Sequence, residues 1–296
     1  MNKSHKSQPQ VIQELRPGQS IELLKELHIL TREGKLNQDT RRKLKQVYHL
    51  YQFIEPLLDE VLKSDAAFTL ADHGAGKSYL GFILYDLFFN VAHSGHKTAG
   101  HVYGIETRPA LVEKSRALAA RLGFERMSFL NLSVKDATRS SDLPGRIDIV
   151  TALHACDTAT DDAIAFGLAK QAQHMVLVPC CQAEVAGILK AGRALNLTKT
   201  PLAELWRHPL HTREFGSQIT NVLRCLQLQA NGYNVTVTEL IGWEHSMKNE
   251  LILASQPATP NVTNVTKAKA AQVRLQQVLD ELGLAELKQR FAVQSN

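Results

Sequence analysis

The chain has 296 residues, 44% hydrophobic and 21% charged, a balance suited to a folded globular protein with one large core plus appendages. No apolar run reaches the roughly 18–20 residues that span a bilayer, and the polar first 16 residues lack a signal-peptide apolar centre. Four cysteines without a regular framework argue against a secreted disulfide scaffold and for a cytoplasmic protein; a net charge of +5 and a pI near 9.0 permit a nucleic-acid partner.

Residues 1–20 form a polar lead-in, and apolar residues recur at helical spacing over 21–30. A second helix begins near Asn37 or Asp39, either of which can cap it. It carries Arg41, Arg42, Lys43 and Lys45, followed by Tyr48, Tyr51 and Phe53. Proline suits a first helical turn, so Pro56 is expected to start a further helix ending near Lys63. Residues 1–64 are thus expected to form an N-terminal helical element, 65–256 one α/β domain with an insertion over 183–210, and 257–296 a linker and C-terminal helix.

Within the α/β domain, strands are predicted over 66–71, 101–106, 127–130, 147–153 and 175–178, with helices over 77–91, 109–122 and 159–171 between them. Such alternation predicts a parallel sheet with helices on both faces. A helix over 211–230 and two adjacent strands, 233–241 and 250–254, follow. A Pro/Thr/Asn-rich linker over 256–265 precedes a helix over 270–291.

Asp72-His73-Gly74-Ala75-Gly76-Lys77-Ser78 joins the first strand to the first helix. Glycines remove the Cβ atoms that would hold a ligand off the backbone, and free N–H groups at a helix start can meet a polar ligand. Two readings fit. Gly76-Lys77-Ser78 ends like a P-loop, but Ala71 stands where that motif needs its first glycine. Asp72-His73-Gly74-Ala75-Gly76 alternatively matches the D-x-G-x-G turn of S-adenosylmethionine (SAM) methyltransferases.

Ligands of open parallel sheets bind beyond the carboxyl ends of the strands. Glu106 ends the second strand and can accept hydrogen bonds from two ribose hydroxyls, or cap the next helix. Asp136 follows the third strand and can accept an adenine amino group, or be an ordinary loop acid. Asp72 orients the turn or binds a cofactor amino group. The fourth strand ends in a polar cluster, His154, Cys156, Asp157, Thr158, Thr160 and Asp161, and the fifth in Pro179-Cys180-Cys181-Gln182. The cluster either caps the next helix or lies beside the reacting methyl group. Cys180 and Cys181 either pack, line an acceptor pocket, or include a thiolate nucleophile. A zinc site from His154, Cys156, Cys180 and Cys181 would have non-standard spacing.

Together, the glycine turn, Gly104-Ile105-Glu106, the His154-Ala155-Cys156-Asp157 stretch and Pro179-Cys180-Cys181 resemble a SAM-dependent methyltransferase family. It includes eukaryotic methyltransferase-like proteins and the glutathione S-transferase C-terminal domain-containing protein. The resemblance runs over residues 66–254. It implies a Rossmann-like class I fold: a seven-stranded, mostly parallel sheet with an antiparallel terminal hairpin. It also implies S-adenosyl-L-methionine as cofactor, with Asp72, Gly74, Gly76, Glu106, Asp136 and His154 around it, and His154, Asp157, Cys180 and Cys181 as catalytic candidates. The chain is more distantly similar to tRNA 2′-O-methyltransferases, which carry Cys-Cys-His-His; here Gln182-Ala183 replace the histidines.

Asp157 or His154 can take or position an acceptor proton. RNA is the leading acceptor class: Arg41, Arg42, Lys43 and Lys45 can contact phosphates, and Tyr48, Tyr51 and Phe53 can stack on bases. Residues 1–64 hold 11 Lys/Arg against 8 Asp/Glu, so this charge is modest. Protein and small-molecule acceptors are the alternatives.

Overall fold

The computed structural model describes residues 14–64, 67–92, 99–153, 155, 157–180, 182–191, 201–240, 250–259 and 261–293. Seven strands form one sheet in the order β3-β2-β1-β4-β5-β7-β6. They are β1 (Ala67–His73), β2 (Ala99–Glu106), β3 (Met127–Asn131), β4 (Ile149–Leu153), β5 (His174–Val178), β6 (Asn234–Glu239) and β7 (Glu250–Ser255). The first five are parallel, and β7 lies between β5 and β6, antiparallel to both. This is the class I methyltransferase order. The chain builds outward from β1 to β3 and then returns to β4, so the strand order reverses between β1 and β4, where open sheets take their ligands.

β1 extends two residues past its predicted end. Asp72 and His73 are still in the ladder, opposite Gly104 and Ile105 of β2. The alternation of side chains therefore sends these two neighbours to opposite faces of the sheet.

On one face lie α1 (Ile21–Glu26), α2 (Gln38–Ser64), α3 (Tyr79–Tyr85) and α4 (Pro109–Leu122), sharing a core with Phe68, Leu70, Val102 and Ile149. On the other, α5 (Val134–Arg139) and α6 (Thr158–Ala169) cover Ala71, Val150, Ala152 and Met175. A third cluster joins α7 (Glu184–Lys190), α8 (Pro209–Ala230) and α9 (Val262–Glu281) to Leu284, Leu287 and Phe291.

The N-terminal helices depart from expectation in two ways. Pro56 starts no new helix: α2 runs 27 residues straight through it. Asn37 caps its start, accepting the Thr40 N–H at 2.9 Å. Proline removes one backbone bond and costs about 3 kcal/mol in a helix interior. The buried stripe Leu50, Ile54, Leu58 and Val61 outweighs that, at roughly 1.5–3 kcal/mol per large apolar side chain. The aromatic residues, second, do not form a base-stacking surface. Tyr51 is fully buried, Tyr48 bonds to Gln19 beneath the Arg16 guanidinium, and Phe53 packs on the core beside His49. They follow the apolar stripe of α2, and burial takes them from solvent.

The predicted helix over 77–91 is α3 followed by a wide-turned segment, Asp86–Ala92, with π-type hydrogen bonding. Buried Asp86 accepts the Ser20 N–H there, tying the N-terminal segment to the domain. α5 was expected as loop. α9 begins eight residues early because the Asn261 side chain accepts the Asn264 N–H and caps it. Residues 241–249, between the last two strands, lie outside the described residues. Among the described residues, no helix is long and apolar enough to cross a membrane.

Candidate cofactor and acceptor site

The glycine turn is folded onto β2. Gly74 and Gly76 have φ of +67° and +59°, values that favour glycine, and Ser78 is also left-handed at 49°. The Ala75 N–H donates to the Ile105 carbonyl at 3.0 Å, the Gly76 N–H to Glu106 Oε2 at 2.8 Å, and the Ser78 N–H to the Ala75 carbonyl at 2.6 Å. The expectation of a turn offering free amides is therefore corrected: three of them are satisfied internally. The P-loop reading fails for the same reason. A phosphate cradle needs amides aimed outward, and here a carboxylate occupies the Gly76 N–H and repels a phosphate.

Glu106 is only 7% exposed, yet both its oxygens are engaged. Oε1 accepts the Arg108 N–H and Nε, each at 3.0 Å, while Oε2 accepts Arg108 Nη2 at 3.0 Å besides Gly76. The Arg108 side-chain bonds, against an opposing effect of burial and helped by the two backbone donors, hold the Glu106 carboxyl down at about 2. It is an ionised double acceptor at any physiological pH. The Arg108 side chain itself is 66% exposed.

Asp72 lies beneath the turn on the α3 side, 2% exposed. Thr151 Oγ1 donates to its Oδ1 at 3.1 Å, and Ser78 Oγ to Oδ2 at 3.4 Å. Burial pushes its carboxyl up to about 7, with those bonds opposing. A Cβ on Gly81 would stand 2.6 Å from Ser78 Oγ and 3.4 Å from Asp72 Oδ2, so only glycine lets α3 sit this close. On the opposite face, His73 tilts against Phe166 at 5.6 Å, and neither ring nitrogen has a partner among the described residues. Burial lowers its imidazole to about 4, against the pull of Glu106, so it is neutral at pH 7.

Asp136 is exposed in the first turn of α5 and serves the cap: Ser133 Oγ donates to Oδ2 at 2.6 Å, and the Asp136 N–H returns to Ser133 Oγ at 3.2 Å.

Across the crevice, Asp157 and the half-buried Cys180 stand after β4 and β5. Asp157 has φ 52° and ψ −121°, a conformation that costs an ordinary residue about 1–3 kcal/mol. It is held from two sides. Its Oδ1 accepts the Ala183 N–H at 3.0 Å, and its carbonyl accepts Arg224 Nη2 at 2.8 Å. Arg224, fully buried on α8, also donates from Nε to Asp161 Oδ1 at 2.6 Å and from Nη1 to Asn221 Oδ1 at 3.1 Å. Asn221 continues to Glu250 Oε2 at 2.6 Å, and the Gln182 carboxamide lies 2.8 Å from both Asn221 and Ser217. Arg224 thus holds the loop after β4, and Asp157 Oδ1 ties that loop to the one after β5 through the Ala183 N–H. His154, Cys156 and Cys181 lie outside the described residues.

The structure therefore gathers Asp72, Gly74, Gly76 and Glu106 at the adjoining ends of β1 and β2, and links Asp157 to the loop carrying Cys180. The residues missed in the sequence are Arg108 and Arg224. Arg224 had a signal, a lone charge in the apolar run Val222-Leu223-Arg224-Cys225-Leu226. Arg108 had none, being an ordinary polar residue before a helix.

Residues 42–187 match a family model described as a methyltransferase domain. No curated protein matches the chain. Similar solved structures include an rRNA methylase from Streptococcus thermophilus (10% identity, 69% of this chain and 94% of that one, TM-score 0.41). Others are magnesium protoporphyrin IX methyltransferase from Synechocystis PCC 6803 with bound S-adenosylhomocysteine (SAH; 13%, 80% and 93%, 0.41) and the Methanococcus jannaschii fibrillarin pre-rRNA processing protein (13%, 66% and 69%, 0.38). The sheet order, the glycine turn closed by an acid, and the matched domain define a class I methyltransferase. The chain is an enzyme of that class, and its cofactor is S-adenosyl-L-methionine.

Proposed function

We propose that the protein methylates RNA, with the cofactor held at the ends of β1 and β2 and the acceptor brought to the loops after β4 and β5. The observation that carries the cofactor half is Glu106 accepting the Gly76 N–H, which puts an ionised double acceptor against a turn whose Gly74 and Gly76 carry no Cβ. Those two oxygens suit the two hydroxyls of a ribose. Asp136 is assigned to the adenine amino group and Asp72 to the floor of the turn. His154 is assigned to both halves of the site.

Bound S-adenosylmethionine supplies an electrophilic methyl on a sulfonium. The chain's own contribution is to hold the acceptor in line and receive its proton. Asp157 is the described residue best suited to that: Oδ1 is fixed by Ala183, and Oδ2 faces no donor among the described residues. Cys180 and Cys181 line the acceptor side in this reading.

Exposed positive charge supports RNA. α2 leads directly into β1, and its Glu60 lies 4.0 Å from His174 at the amino end of β5. At 1.5 Å per residue, Arg42 stands about 27 Å back along the helix from Glu60. Lys43 and Lys45 are exposed there, Arg42 is half-buried and Arg41 is paired with Glu14. Exposed Lys77 and Lys135 flank the turns after β1 and β3.

The test is transfer of tritium from labelled S-adenosylmethionine to purified cellular tRNA, ribosomal RNA and protein fractions. Ribonuclease-sensitive label supports the reading. Label only in protein or in small molecules contradicts it.

A further inference from the structure

In the structure Glu106 already holds a forked, two-donor group, and that group is the side chain of Arg108. Nε and Nη2 reach the two carboxylate oxygens at 3.0 Å each. We propose that Arg108 is an intramolecular competitor for the cofactor's ribose, a guanidinium that must leave Glu106 before the hydroxyls can bind. The proposal rests on the reading that Glu106 holds the ribose.

The geometry makes the two occupants mutually exclusive in their best form. Oε2 already takes the Gly76 N–H, and Oε1 the Arg108 main-chain N–H. Thr107 Oγ1 also donates to Oε1, at 3.3 Å, and together with the two fixed backbone donors it leaves room for one fork, guanidinium or diol. The guanidinium also overhangs the turn, since a Cβ on Gly76 would come within 3.6 Å of Arg108 Nη2. The clamp is built to open. With 66% of its side chain exposed, Arg108 swings into water at little desolvation cost, whereas Glu106 at 7% cannot follow it. The ligand-free state is thereby stabilised, and binding of any ribose ligand is weakened by the same factor.

Calorimetric titration with S-adenosylhomocysteine tests this on the full chain. Arg108→Ala is expected to bind about fivefold more tightly than the wild type. Arg108→Lys, which keeps charge but not the fork, is expected between them. Raising KCl from about 0.05 to 0.5 M screens the pair, so wild-type affinity should rise with salt and that of the Arg108→Ala variant rise less. Weaker or unchanged binding in Arg108→Ala overturns the proposal, since Arg108 would then assist the cofactor or be indifferent to it. Unchanged affinity in Glu106→Ala overturns the ribose assignment beneath it. Failure of both the wild type and Arg108→Ala to bind overturns the cofactor reading itself. Binding by Arg108→Ala alone is the strongest support.

Discussion

Glu106 Oε2 and the Gly76 amide lie 2.8 Å apart across 30 residues of sequence, joining the end of β2 to the turn after β1. That single bond closes the turn and sets the ionised acid within it. Glu106→Ala removes both acceptors and loosens the turn. S-adenosylhomocysteine affinity, read by calorimetry, is expected to fall about tenfold or more, since hydrogen bonds to charged groups contribute about 1.5–3 kcal/mol each.

Asp72 and His73 should tilt the pH profile of stability in opposite directions. The Asp72 carboxyl is raised to about 7, so the native state holds a proton that the unfolded chain releases near 4. Its contribution is full below that value and is lost as pH rises toward 7. His73 is lowered to about 4, so the unfolded chain takes a proton first and stability falls as pH drops from about 6.5 toward 4. Melting temperatures between pH 4 and 8.5 should show Asp72→Asn flattening the alkaline limb and His73→Phe the acid limb. Parallel curves for the variants and the wild type would contradict both assignments.

The Arg224–Asp161 pair is buried at both ends, with side chains 1% and 5% exposed. Removing one partner strands a charge, at a cost of about 3–5 kcal/mol. Arg224→Met is expected to lose that much in urea denaturation, and adding Asp161→Asn should recover part of it. A loss in the double variant equal to the sum of the two single losses would show that the pair is not coupled.

Pro56 is exposed, so Pro56→Ala restores a backbone donor without emptying the core. The variant is expected to gain about 1–3 kcal/mol in stability. A loss would mean that the proline bends α2 onto the sheet.

The sheet was legible because its strands are short apolar runs that end in acids or glycines, and hydrophobic patterning decides their register. That the first five strands run parallel followed from their alternation with helices, and Gly123, with φ +68°, ends α4. What escaped depends on tertiary context. Pro56 read as a helix start because local propensity says so, while the stripe from Leu50 to Val61 that carries the helix through it gains its value only against the sheet. The aromatics of α2 read as a surface for the converse reason. In the site, Glu106 was legible as the acid that ends the second strand, and the glycines as the turn after the first. Arg108 was not, because its importance lies in a bond two residues back that no pattern encodes. Nor does a lone arginine at position 224 say that it reaches a carbonyl 67 residues away.

The most direct test of the central claim is parallel calorimetric titration of the purified protein with S-adenosylmethionine, S-adenosylhomocysteine and ATP. Micromolar binding of the first two and none of ATP is expected, because Glu106 sits where a phosphate would have to go. Binding of ATP alone would contradict that claim.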